Sequence, residues 1–143
     1  MNRRMSIEHP GKSQCIPSLA VSIVVRDNGR FLLVERANDP GRGMFAFPGG
    51  RVENGEDLRK AALRELAEET ALIGADLMCL CDLYLPGKDG DFKLHVFLAG
   101  GFSGVIAAGD DALSVGWYSL ADMAAMPVPQ SVLDVARSII GDD

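Results

Sequence analysis

Cysteine is scarce and odd in number, with only Cys15, Cys79 and Cys81. That excludes a disulfide framework, and Cys79 and Cys81, alternating within an apolar run, read as reduced strand residues. Histidine is scarcer still; His9 and His95 have no ligand-like partners in sequence, and His95 reads as an ordinary strand residue. No apolar run reaches the length of a membrane span, and residues 1–14 are polar without a hydrophobic signal region. A cytoplasmic location is the expectation. Lys and Arg nowhere cluster and the net charge is −6. A nucleic-acid polymer is therefore an unsuitable partner, because nothing would neutralise its phosphates. A small anionic substrate stays compatible, its charge met locally. No internal repeat or low-complexity stretch is present.

What is there suits one globular domain over residues 1–143, with 48% hydrophobic and 24% charged residues. Residues 1–15 lack periodicity and read as a loose N-terminal arm. Residues 18–26 (SLAVSIVVR) and 31–35 (FLLVE), separated by Asp27-Asn28-Gly29, predict a hairpin. A breaker-rich loop over 36–44 leads to a short strand over 45–47 and a Pro48-Gly49-Gly50 turn. After a loop over 51–57, Glu56 or Asp57 caps a helix from Leu58 to about Thr70. Residues 75–85 and 92–102 predict two strands joined by a turn over 86–91, and 105–111 a Gly-rich loop. Residues 113–120 predict a last strand, Ser119 caps a short helix through Met123, and 130–140 form a closing helix. This order implies an α/β fold, a mixed β-sheet covered on both faces by helices.

The stretch from Gly50 to Leu72, GRVENGEDLRKAALRELAEETAL, carries the chemistry. Glu65, Glu68 and Glu69 stand three and four residues apart, so a helix projects them from one arc. Like charges so placed repel unless a cation sits among them. A hard divalent ion with oxygen ligands, magnesium or manganese, fits that need. Leu58 and Ala62 fall in the same arc at about 100° per residue. The carboxylates therefore border the core, and small Ala61 and Ala62 leave room for a loop backbone to approach.

This spacing resembles the Nudix box: Gly50, Glu56, Arg64, Glu65, Leu66, Glu68, Glu69 and Leu72 fall at its fixed positions over twenty-three residues. Only Ala71 departs, standing where the box has glycine. An alanine held in the left-handed region costs roughly 1–2 kcal/mol, so either the helix accepts that strain or it runs on to Gly74. The resemblance implies an α/β/α sandwich that needs Mg²⁺, with Mn²⁺ as an alternative. It also implies hydrolysis of a nucleoside diphosphate linked to another group. Glu65, Glu68, Glu69 and the carbonyl of Gly50 are the implied metal ligands. Glu56 and Arg64 are implied to pair or to orient those carboxylates.

Family members take the general base from the box or from a loop acid elsewhere. The loop candidates are Asp110 and Asp111, in GDDALSVGWYSL, a segment similar to that of small ADP-ribose-type members; Asp89 and Asp91 read more simply as a solvated turn. Pro86, fifteen residues past Ala71, resembles a proline of members that cleave ADP-ribose, and Tyr84 is an alternative as a base-stacking ring. Arg36 and Arg42 could meet phosphates or a ribose, or solvate the surface, and Phe47 beside the glycines joins the candidate substrate contacts. The expected substrate leans to ADP-ribose or a related nucleotide sugar. The alternatives are a nucleoside triphosphate pyrophosphatase that clears damaged nucleotides and a nucleotide-sensing domain without turnover. Open strands permit a homodimer.

Overall fold

The computed structural model describes residues 18–87 and 90–141; the expected N-terminal arm, His9, Cys15 and Asp89 lie outside them. Eight strands and three helices follow in the order β1 (Ser18–Val24), β2 (Arg26–Asp27), β3 (Arg30–Arg36), β4 (Phe45–Ala46), β5 (Gly49–Arg51), α1 (Leu58–Thr70), β6 (Ile73–Leu85), β7 (Phe92–Ser103), β8 (Ala112–Tyr118), α2 (Leu120–Ala124) and α3 (Gln130–Gly141) among the described residues. No helix among them is long and apolar enough to cross a membrane.

The strands form two sheets rather than the single one expected. The first runs β5-β1-β7-β6, with β1 and β7 parallel and the other pairs antiparallel. In the second, β3 pairs with β2, β4 and β8, all antiparallel. Both sheets lie between the same two cores. On one side Val21, Ile23, Leu32 and Phe97 pack against Ala61, Ala62 and Leu66 of α1. On the other Val24, Phe31, Leu33 and Val96 pack against Met123 of α2 and Val135, Ala136 and Ile139 of α3. The result is the expected α/β/α sandwich, with the mixed pairing confined to the first of its two sheets.

The first hairpin is shorter than its sequence predicts. Asn28 and Gly29 both have positive φ, 53° and 76°, as a tight hairpin turn requires. Only Arg26 and Asp27 pair with β3, however. The preceding β1 crosses into the other sheet, because Val21, Ile23 and Val24 are buried on both faces at 1%, 0% and 0% exposure. Such a strand gains more from a central position beside parallel β7 than from a two-sided hairpin.

Helix α1 starts where Asp57 accepts the amide of Arg59 at 3.3 Å. It ends with the strain accepted: Ala71 sits at φ 69°. Thr70 Oγ1 donates to Leu66 O at 2.7 Å and accepts from Leu72 N at 3.2 Å, locking a turn whose next side chain, Leu72, is fully buried. Gly74 lies instead inside β6, where a Cβ would come within 3.1 Å of Leu66. A bulge at Leu80 sets Cys79 opposite Phe97 and Cys81 opposite Val96, so the two thiols fall on opposite faces. Both cysteines are free. The last strand stops at Tyr118, because Ser119 and Asp122 close a capping box for α2.

Candidate active site

Arg64 organises one side of α1. Its Nε and Nη2 donate to the two oxygens of Glu56 at 2.7 and 2.9 Å, a bidentate pair. Nη2 also reaches the carbonyl of Arg51 at 3.1 Å, and Nη1 donates to Glu65 Oε2 at 3.1 Å and Glu68 Oε1 at 3.2 Å. Every donor of the guanidinium is used. The consequences are electrostatic: hydrogen bonding to Arg64 holds the Glu56 carboxyl down to about 2, and Glu56 in turn raises the guanidinium further above its ordinary range.

The other side of the helix faces β5. A turn was expected over Pro48-Gly49-Gly50, but Gly49 and Gly50 are strand residues paired with Ser22 and Val21. Gly50 must be glycine for a steric reason, since a Cβ there would overlap the carboxylate of Glu65. Gly49 N–H donates to Glu69 Oε1 at 3.4 Å. The Glu69 carboxyl is pushed up to about 9, first by burial and then by its hydrogen bond and proximity to Glu65. Two acidic side chains share this site, and the ion pair from Arg64 reaches Glu65 but not Glu69. Such a donor set fits a hard divalent cation, which would replace the proton that burial otherwise imposes.

A cavity of about 230 Å³ opens beside this pair. Of the residues singled out in the sequence, Glu65, Glu69, Asp111, Arg36 and Phe47 line it. Glu56, Arg64, Glu68, Gly50, Arg42 and Pro86 do not. The Glu68 side chain is 57% exposed and turned to Arg64, so among the described residues no three acidic, histidine or cysteine side chains gather into one cluster able to hold a metal. Pro86 ends β6 in an exposed position, and exposed Tyr84 lies under Lys93, 5.6 Å from Nζ to its ring centre. Asp91 offers its carbonyl to Ser18 at 3.3 Å, and His95 pairs with Asp82 at 2.9 Å on the neighbouring strand. Arg42 donates to the carbonyl of Ala37.

The loop before β8 reaches the cavity because α1 needs partners for its last carbonyls. Ala107 N donates to Thr70 O at 2.9 Å and Gly109 N to Glu69 O at 3.1 Å. Gly109 lies so close to the helix that a Cβ would overlap Glu68 O. Docked there, the loop presents Asp111. Two contacts from the loop between β3 and β4 meet it: Ala37 N to Asp111 O at 3.2 Å and Asn38 Nδ2 to Asp111 Oδ1 at 3.4 Å. Asn38 and Gly109 were not singled out in the sequence. Only the glycine content of their loops signalled them.

A cavity edged by a glycine strand, a glutamate helix clamped by arginine and an acidic loop is the arrangement of a Nudix domain. Residues 17–137 match the NUDIX domain family, and the chain belongs to it. It is 37% identical over 106 residues to an ADP-ribose pyrophosphatase of Methanocaldococcus jannaschii, covering 73% of this chain and 63% of that protein. The chain spans less than two thirds of the length of the curated relatives it matches first. Among solved structures it resembles the NUDIX domain of Shewanella oneidensis NrtR complexed with ADP ribose, with 26% identity, a TM-score of 0.76 and 92% and 94% of the two chains covered. It also resembles a bifunctional NMN adenylyltransferase/ADP ribose pyrophosphatase from Francisella tularensis complexed with AMP and a manganese ion. There the identity is 25%, the TM-score 0.71, and coverage 88% of this chain and 42% of that one.

Proposed function

We propose that this chain is a Mg²⁺-dependent hydrolase, with Mn²⁺ as an alternative ion. Its substrate is a nucleoside diphosphate linked to another group, ADP-ribose or a related nucleotide sugar, and its products are AMP and a sugar phosphate. The observation that carries the reading is the half-buried Glu69 carboxyl beside Glu65 in a cavity that Arg36 and Asp111 also line. The Methanocaldococcus jannaschii relative and the ADP-ribose complex support the substrate class.

Glu65 and Glu69 would hold the ion, with Glu68 and the Gly50 carbonyl as further donors. Once bound, the ion supplies an acidified water and neutralises charge on the phosphate oxygens. Arg64 keeps Glu65 in one rotamer and restrains Glu68. Arg36 offsets diphosphate charge from the cavity wall, and Phe47 gives that wall an apolar surface. Asp111 accepts the proton of the attacking water.

The deciding experiment is Mg²⁺-dependent turnover of ADP-ribose, other ADP- and GDP-sugars, dinucleoside polyphosphates and nucleoside triphosphates, with Glu69→Gln as control. AMP released from ADP-ribose and lost in the variant is the expected result. Preference for a triphosphate with pyrophosphate release would move the substrate and keep the site. Binding without turnover would overturn the hydrolase reading in favour of a sensing domain.

A further inference from the structure

The cavity acid Asp111 sits on a loop, and a loop carboxylate free to rotate is a poor proton acceptor. Its backbone is held from two directions. The α1 end binds the loop through Ala107 and Gly109, and Ala37 N–H donates to the Asp111 carbonyl. The carboxylate itself has a separate partner, since Asn38 Nδ2 lies 3.4 Å from Oδ1. Asn38 is well placed for this: it too lines the cavity, and the adjacent Ala37 peptide is anchored by Arg42 on its carbonyl.

We infer that Asn38 is a positioning residue for Asp111. Its amide N–H occupies Oδ1 and leaves Oδ2 as the oxygen that takes the proton. The inference rests on the hydrolase reading and deepens it. Asn38 differs in role from Arg36, two residues earlier on the same cavity wall, which meets substrate charge directly. The amide acts only through the carboxylate it holds.

The test is steady-state kinetics of the full chain at saturating Mg²⁺, on the panel nucleotide turned over best. It compares Asn38→Ala, Asn38→Asp, Asp111→Ala and the Asn38→Ala/Asp111→Ala double variant. Asn38→Ala lowers kcat about tenfold with KM within about twofold, the size of one lost hydrogen bond to a charged group. Asn38→Asp keeps the shape without the donor and loses at least as much. The double variant matches Asp111→Ala alone, because the amide has nothing left to orient. A rise in KM at unchanged kcat, full activity in Asn38→Asp, or losses that multiply in the double variant would each overturn the inference while leaving the hydrolase reading intact. A wild-type chain inactive on the whole panel would sink both.

Discussion

Helix α1 meets a glutamate on each of two sides and treats the two in opposite ways. On one side Glu56 meets Arg64 and its carboxyl falls to about 2; on the cavity side Glu69 lies half-buried beside Glu65 and rises to about 9. Glu56 has its counter-charge in a bidentate arginine, whereas Glu69 has only the through-space charge of Arg36 to set against Glu65. Burial without a fixed partner disfavours charge, and that cost is what a cation can relieve. The clamp gives rigidity and the cavity gives affinity.

The sharpest way to break the comparison is to remove the cavity charge. Glu69→Gln is expected to lower Mg²⁺-dependent turnover by about 10²–10⁴-fold. Without metal it should melt no lower than wild type above neutral pH, because it deletes a half-buried acid rather than one held in an ion pair. Loss of turnover together with a lower metal-free Tm would show that Glu69 is structural. Breaking the clamp comes next. Arg64→Ala should cost about 10–100-fold in metal affinity or activity, since Glu65 and Glu68 lose their orienting partner. Titration of Mg²⁺ by calorimetry measures it, and unchanged affinity would assign the clamp to folding alone.

The pH dependence should be opposite on the two sides. Glu69 keeps its proton in the fold when it would have lost it unfolded. Its contribution to metal-free stability is therefore complete below the ordinary glutamate range and is lost as pH rises through about 9. Saturating Mg²⁺ should remove that decline in a Tm-against-pH series, because the ion takes the place of the proton. Glu56 runs the other way: its contribution is present above the ordinary glutamate range and is lost as pH falls through about 2. Glu56→Gln should flatten that acid limb and leave the alkaline one alone.

The smallest effect lies just beyond both sides. Ala71→Gly removes a left-handed alanine at φ 69° and should add about 0.5–1 kcal/mol in denaturant unfolding, with turnover unchanged. A destabilised variant would mean that the Ala71 methyl contributes more than its strain costs.

Much of the site could be read from residue order because α1 is a local object. Helical spacing alone puts Glu65 and Glu69 on an arc bordering Ala62, and the Glu56–Arg64 pair needs only one loop and two turns of helix. Asp111 could be named but not placed. Its route to the cavity runs through Ala107, Gly109 and the carbonyls of Glu69 and Thr70, some forty residues away in sequence. The assignment of Arg42 to substrate rested on its loop alone, and in the fold its guanidinium turns to Ala37 instead. Arg36, the last residue of β3, lines the cavity, a division no periodicity could reveal.

By itself, then, the sequence determined the α/β class, the glutamate helix with its cap at Glu56 or Asp57 and the tight turn at Asn28-Gly29, because each depends on residues within a few turns of one another; the arginine clamp was implied by the resemblance to the Nudix box. Only the tertiary structure decided that β1 leaves its hairpin for a central place beside β7, that the helix ends on a strained Ala71 rather than at Gly74, and that Glu69 is half-buried while Glu68 is exposed. Those outcomes depend on which surfaces meet. Burial and unsatisfied backbone groups, properties of the assembled chain, settled them.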